Sequence, residues 1–279
     1  MNEKINWYPG HMAKARRQME EELKLVDIVI ELRDARMPLA SGNPLLEELA
    51  KNKKSLIILN KADKADEIEN EKWVKHFDRA LLTDSLNERI TNKIVNEVKD
   101  ILKDKLEKAK AKGIRKKVLR AMVVGIPNVG KSTFINNVVK KKITKTENRP
   151  GVTRNLQWIR INEDVELLDT PGVLWPKLED QRQAMILALL GSINDEVVDQ
   201  EELVNFGLNY IKNEYPSLLN KRYGVDESKE DLINEIGLLK GCLTNDNKVD
   251  RLKAIKMILK DIRNNNVGRI TFEKYGITQ

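Results

Sequence analysis

Cysteine is almost missing from this chain: Cys242 is the only one in 279 residues. No intrachain disulfide and no multi-cysteine zinc site can form, which fits a reducing cytosol. Long apolar runs are missing too. The longest, AMILALLG over residues 184–191, falls well short of the ~20 residues that span a bilayer. The opening MNEKINWYPGHM has no apolar signal-peptide core. A soluble, cytoplasmic protein with no membrane partner is expected. Aromatic residues are only 5% of the chain, and few lie in its C-terminal part, so base stacking is a poor candidate for any nucleic-acid contact there.

Charge, by contrast, is abundant. Charged residues make up 33% of the chain and apolar ones 41%, with a formal net charge of +7. The length suits one large α/β domain plus a smaller one. The excess positive charge speaks to an acidic partner, nucleic acid first, and not to fold.

Residues 13–24 are charged and free of Pro and Gly, and read as a helix. VDIVIELRD (26–34), SLIIL (55–59) and VLRAMVVG (118–125) are short apolar runs between polar flanks, which read as buried strands. LLTDS (81–85) reads as a further strand. NPLLEELAK (43–51) reads as a short helix with Asn43 as N-cap and Pro44 in its first turn. A single lysine-rich helix is expected over 88–112, ended by Gly113. NLQWIRI (155–161) and VELLD (165–169) read as a hairpin. Strands alternating with helices imply a mostly parallel sheet with helices on both faces. After Lys177 the strand signals stop and helices with polar breaks follow. The expected fold is an α/β domain over 1–177 and a small all-α domain over 178–279.

Three motifs follow expected strands, at the carboxyl ends where α/β sheets bind ligands. GIPNVGKST (125–133) fits G-x4-G-K-[ST] between a strand and a helix. The backbone of Asn128, Val129, Gly130, Lys131, Ser132 and Thr133 can cradle phosphates. Lys131 can neutralise the β/γ oxygens, a catalytic role, and Ser132 can ligate Mg²⁺. In DTPG (169–172), Asp169 can hold Mg²⁺ through water and the Gly172 amide can reach a γ-phosphate. Thr153, in RPGVTR, is a third candidate over the metal. NKAD (60–63) supplies a base reader. The Asp63 carboxylate can accept two hydrogen bonds from guanine N1–H and N2–H₂, which adenine cannot offer. Asn60 can bond the other edge of the base and bridge to the phosphate loop, while the Lys61 stem packs over the ring. Ser85 can complete the pocket, although TDSLN is a poor match to the usual small-residue loop. The expected ligands are GTP and GDP, not ATP.

The order is unusual. NKAD lies about sixty residues before the phosphate loop, whereas the base-reading loop ordinarily comes last. Moving the base-reading strands to the front is a circular permutation, which close-lying domain termini permit. DTPG then leads almost directly into the C-terminal helices. With this motif order, WYPGHMAKA (7–15) and GCLTND…GRITFE (241–273), the chain resembles the circularly permuted GTPases of ribosome assembly along nearly its whole length. Other permuted relatives carry an N-terminal OB-fold or a zinc module, and neither fits here.

That resemblance implies an activity and partners. Many GTPases orient water with a glutamine just after DxxG, but Val173 and Leu174 stand there. The resemblance assigns the task to His11, and implies that Asn128 helps to coordinate K⁺. It also implies that the C-terminal domain contacts ribosomal RNA of a large-subunit precursor. In KVDRLKAIKMILKDIR (248–263), Leu252, Ile255, Ile258, Leu259 and Ile262 form an apolar stripe, with Lys253, Lys256, Lys260 and Arg263 along another face. Such a basic stripe is either a solvated face or a phosphate contact. A monomeric, GTP-hydrolysing assembly factor is expected, bound to the precursor with GTP and released after hydrolysis. Two rivals remain: a GTP-dependent RNA-binding module with little turnover, and a P-loop ATPase or kinase without RNA. Turnover with precursor particles separates the first, nucleotide competition the second.

Overall fold

The computed structural model describes residues 10–84, 90–139, 156–175 and 178–276. Among the described residues six strands form one sheet: β1 (Ile28–Asp34), β2 (Lys54–Asn60), β3 (Ala80–Thr83), β4 (Leu119–Val124), β5 (Gln157–Arg160) and β6 (Val165–Asp169). Their spatial order is β3-β2-β1-β4-β6-β5. Every neighbouring pair is parallel except β5 and β6, the expected hairpin. Six helices accompany the sheet: α1 (Gly10–Glu22), α2 (Pro44–Ala50), α3 (Glu67–His76), α4 (Thr91–Ile101), α5 (Lys103–Ala111) and α6 (Lys131–Val139). Five more follow it: α7 (Gln181–Leu189), α8 (Gln200–Glu214), α9 (Leu218–Tyr223), α10 (Leu232–Leu239) and α11 (Arg251–Arg263).

β1 is buried along its whole length although it carries Glu31, Arg33 and Asp34. Buried charge is costly unless paired. Here Arg33 Nη2 donates to Glu31 Oε2 and to Glu47 Oε1 on α2, both at 2.7 Å. The strand is therefore apolar at its start and ionic at its carboxyl end, where loops and ligands meet the sheet. Asn43 caps α2 as expected, its Oδ1 accepting from Leu45 N at 3.0 Å.

The single helix expected over 88–112 is two, α4 and α5. Leu102 leaves the helical conformation (φ −102°, ψ 16°) and stays buried. α4 buries Ile94, Val95 and Val98, whereas α5 buries only Ala109. A straight continuation would carry these different faces out of line; the break lets α5 turn its lysines outward.

The apolar run of 184–191 forms the buried part of α7 and the turn that follows it, with Ala184, Ile186, Leu187, Ala188 and Leu189 buried in the helix. Among the described residues no helix is long and apolar enough to cross a membrane. On α11 the inward face differs from the expected stripe. Leu252 is 68% exposed, and Ala254 and Asp261 are buried with Ile255, Ile258, Leu259 and Ile262. A stripe read from apolar residues alone leaves out Asp261, which accepts from Arg222 at 2.8 Å and from Asn266 at 2.9 Å. That satisfied acid rotates the face.

Beyond α11 the chain returns to the sheet domain. Ile270, Thr271, Phe272 and Glu273 are all buried. Phe272 N donates to Arg36 O at 2.7 Å, and Trp73 Nε1 donates to Glu273 O at 2.8 Å.

Candidate nucleotide site

The strand order brings the three motifs to one edge. NKAD leaves β2, the phosphate loop leaves β4 and DTPG starts at the end of β6. β1 runs between β2 and β4, with Asp34 in register with Asn60. On the other side of β4, Val123 pairs with Asp169.

Asn60 is buried and braces two loops. Its Nδ2 donates to Val129 O of the phosphate loop at 2.8 Å, and its Oδ1 accepts from Thr83 Oγ1 at 3.2 Å. Lys61 adopts a left-handed backbone (φ 60°). Its Nζ donates to Asp34 Oδ2 at 2.9 Å and to Asn128 O at 2.5 Å. Asp34 also accepts from Arg36 Nε at 3.0 Å and Nη2 at 2.8 Å. Burial raises the Asp34 pKa, but Arg36 and Lys61 outweigh it and hold the carboxyl well below its usual range. Neither Asp34 nor Arg36 was among the expected site residues; the available signal was the charged run ELRDAR closing a buried strand. Asp63 is exposed. Partial burial and the charge of Asp84 push its pKa up. Ser85 lies outside the described residues.

The phosphate loop is shaped by close backbone approach. Gly130 has φ 95°, and a Cβ there would sit 2.4 Å from Asn60 Nδ2. A Cβ on Gly172 would lie 2.9 Å from Pro127 Cα and 3.0 Å from Lys131 Nζ. DTPG thus rests directly on the phosphate loop. Thr170 Oγ1 fixes the turn by donating to Val123 O at 2.7 Å. Lys131 is buried, its Nζ donating to Gly125 O at 3.0 Å and Ile126 O at 2.9 Å. Burial lowers the Lys131 pKa and raises that of Asp169, and each charge resists the shift of the other. Asp169 Oδ1 is buried without a hydrogen-bond donor among the described residues. That orphaned oxygen, together with the P-loop serine Ser132 in the first turn of α6, fits a hard divalent cation. Ser132 and Thr133 both lie in the first turn of α6. Thr153 lies outside the described residues.

Val173 and Leu174 are fully buried, so neither can polarise water. Val173 N donates to Gly125 O at 3.4 Å and its carbonyl accepts from Asn43 Nδ2 at 2.6 Å. Leu174 N donates to Met12 Sδ at 3.5 Å, and Met12 is fully buried. The first turn of α1 therefore lies against the loop after DTPG. His11 contributes its backbone to that turn; its side chain lies outside the described residues.

Two expected site residues join the sheet domain to the helices. Asn128 has φ 62°, and its Nδ2 donates to Gly191 O. Ser192 Oγ donates to Pro127 O at 2.9 Å. Arg263 faces this seam and not the exposed basic stripe. It donates to Leu189 O at 3.0 Å and Ala188 O at 2.9 Å, and pairs with Asp195 at 2.6 Å. Its place at the end of α11 brings the guanidinium to the carbonyls of Ala188 and Leu189 at the C-terminus of α7, where Ala188 O also accepts from Gly191 N at 2.9 Å. Lys253, Lys256 and Lys260 are exposed.

Comparison with known proteins agrees with this geometry. A family profile described as "50S ribosome-binding GTPase" matches residues 120–223. Ribosome biogenesis GTPase A of Bacillus licheniformis is 46% identical over 277 residues, covering 97% of this chain and 98% of the relative. The same-named protein of Bacillus pumilus is 45% identical over 277 residues, with 97% and 98% covered. The chain belongs to the ribosome biogenesis GTPase A family. It hydrolyses GTP and acts in ribosome assembly. The crystal structure of GNP-bound YlqF from T. maritima superimposes with a TM-score of 0.66 at 28% identity, covering 94% of this chain and 98% of that one. The profile match starts in the strand before the phosphate loop. NKAD lies upstream of it, as a permuted order requires. A GTPase of this kind takes its nucleotide with Mg²⁺.

Proposed function

We propose that this GTPase binds a precursor of the large ribosomal subunit in its GTP state and leaves after hydrolysis, as a cytoplasmic monomer. The observation that carries the proposal is the seam between the phosphate loop and the helical part, a domain that begins after residue 177. Asn128 donates to Gly191 O, and Ser192 donates to Pro127 O at 2.9 Å. Loop positions that respond to phosphate are thus bonded to the turn after α7, so nucleotide state reaches the helices without an intermediary. The 50S-binding description of the matching profile supports the choice of subunit.

In this reading Asp63, Asn60 and Lys61 select guanine, and Ser85 is the candidate that completes the base pocket. The loop from Asn128 to Thr133 and the Gly172 amide hold the phosphates. Ser132, Asp169 and Thr153 hold Mg²⁺, which would neutralise charge on the β/γ oxygens. His11, carried to the DTPG loop by α1, orients the attacking water in place of a glutamine. Asn128 offers its carbonyl oxygen to K⁺, its amide nitrogen being engaged by Gly191. Lys253, Lys256 and Lys260 contact RNA phosphates, while Arg263 serves the seam.

The test is co-sedimentation of the full chain with large-subunit precursor particles. Binding is expected with a non-hydrolysable GTP analogue and loss of binding with GDP. Equal binding in both states overturns the switch, and no binding in either overturns the partner.

A further inference from the structure

The base-reading loop is held from the far end of the chain. Arg269 Nε donates to Ala65 O at 2.7 Å and its Nη2 to Ala62 O at 3.1 Å. Ile270 N donates to Lys64 O at 3.1 Å, and Asp66 N donates to Thr271 Oγ1 at 3.0 Å. Ala62 O also accepts from Asn70 Nδ2 at 3.0 Å. Every carbonyl or amide so engaged brackets Asp63.

The same short segment is gripped on its other side by α8 and the residue that ends it. Tyr210 Oη donates to Thr271 O at 2.8 Å, and Thr271 N donates to Tyr215 Oη at 3.1 Å. The Tyr210 ring lies against Phe272 with centroids 5.1 Å apart, and Lys274 Nζ donates to Glu214 O at 2.9 Å. The segment is a plate between the helical part and the NKAD loop.

Asp63 needs such support. Its carboxylate is exposed, so its direction is set by the backbone that carries it. Ala62 O belongs to the peptide whose N–H is that of Asp63. Holding that plane before Asp63 and the Lys64 and Ala65 carbonyls after it restricts rotation about the Asp63 backbone, and so the direction of its Cα–Cβ vector; paired hydrogen bonds to a base weaken steeply when the angle drifts.

We infer that Arg269, backed by Ile270 and Thr271, is a positioning residue for Asp63, making guanine discrimination depend on the C-terminal segment. The inference rests on the reading that Asp63 reads guanine. Because α8 grips the other side of the plate, a partner that shifts the helices also changes guanine affinity, and the effect is reciprocal.

A purely structural contact and a positioning contact predict different results. The first weakens all nucleotides alike. The second changes the preference for GTP over inosine triphosphate, which lacks the 2-amino group that Asp63 would bind. The experiment measures dissociation constants for both nucleotides, by competition with a fluorescent GDP on the full chain. Wild type should prefer GTP by about tenfold or more, the worth of one hydrogen bond to a charged group. Asp63→Asn should abolish that preference. Arg269→Gln should cut it by about threefold or more, and Arg269→Lys, which keeps a donor, should recover part of it. An unchanged preference in Arg269→Gln, with collapse in Asp63→Asn, overturns the positioning role and leaves the base reading standing. An unchanged preference in Asp63→Asn overturns both. If Arg269→Gln does not fold, Thr271→Val removes only the acceptor for Asp66 N. An undiminished preference in that variant likewise overturns the inference.

Discussion

Lys61 Nζ lies 2.9 Å from Asp34 Oδ2, joining the base-reading loop to the strand that separates it from the phosphate loop. Burial lowers the Lys61 pKa, and Asp34 resists that shift. The same ammonium holds Asn128 O at 2.5 Å. One pair thus sets both the Lys61 stem, where a guanine ring would lie, and the start of the phosphate cradle. Asp34→Asn would leave Lys61 and Arg36 facing each other without a counter-charge. A loss of about 3 kcal/mol in stability is expected for a broken, mostly buried pair. GTP and GDP should both bind at least about tenfold more weakly. Thermal melts and nucleotide titrations check this, and full affinity in the folded variant would show that Lys61 does not need Asp34.

Asp63→Asn exchanges an acceptor for an amide that carries donors. GTP should lose roughly 2–4 kcal/mol, since two hydrogen bonds to a charged group disappear and the N2–H₂ group is left facing a donor. Xanthosine triphosphate, whose C2 oxygen accepts, should gain. Equal GTP binding by variant and wild type would remove Asp63 from the base site.

His11→Ala should lower kcat by about 10²-fold or more while nucleotide affinity stays nearly intact, because orienting water matters only on the way to the transition state. Particle-stimulated turnover is the measurement. Wild-type stimulated rates in the variant would place the water-orienting group elsewhere, for instance on the particle.

The parts of this molecule that were legible in sequence are local ones. A phosphate loop needs only a strand, nine residues and a helix, so GIPNVGKST shows itself, and NKAD and DTPG likewise sit on strand ends. Asp34 became visible only when β1 was found between β2 and β4, an arrangement that no local window contains. Arg263 shares the helical spacing of Lys253, Lys256 and Lys260. Only the nearby carboxyl end of α7 tells it apart from them. The plate formed by residues 269–273 has neither helical nor strand periodicity, and its hydrogen bonds go to loops far away in sequence. Leu102 broke an expected helix because the faces of α4 and α5 bury different amounts of apolar surface.

Glu273 makes that plate sensitive to pH. Its carboxylate accepts from Leu39 N at 2.7 Å and Ala40 N at 2.9 Å, yet burial dominates and pushes its pKa up to about 7, against the pull of those amides, Arg182 and Arg33. A raised folded-state pKa means that the folded protein binds the proton more tightly than the unfolded chain. The associated stability is fully present below about 4.5 and is lost as pH rises through about 7. The span corresponds to roughly 3 kcal/mol. Glu273→Gln should flatten the dependence of stability on pH across this window. Chemical denaturation of both proteins at several pH values tests it, and parallel curves would exclude Glu273 as the titrating group.

The basic face of α11 divides into two kinds of residue, and the division is testable. Lys253, Lys256 and Lys260 are exposed, and replacing all three with Gln removes charge without disturbing the buried face. If they touch RNA phosphates, binding to precursor particles should weaken. It should also become less salt-sensitive, because fewer counterions are released. The log–log slope should fall by up to about one for each phosphate that a lysine no longer neutralises. Intrinsic GTP turnover without particles should hardly change, since none of the three reaches the nucleotide site. Arg263→Ala should behave in the opposite way. It takes the guanidinium donor from Leu189 O and from Ala188 O, the latter keeping Gly191 N, and removes the Arg263 partner of Asp195, so it should destabilise the seam by about 2 kcal/mol. It should also alter nucleotide affinity through Gly191 and Asn128, with little change in the salt slope. Co-sedimentation across a salt series, run beside thermal melts and nucleotide titrations, separates the two. Identical salt curves for wild type and the triple-lysine variant would mean that the α11 lysines only keep the surface solvated, and the phosphate-contacting surface would have to be sought elsewhere on the chain.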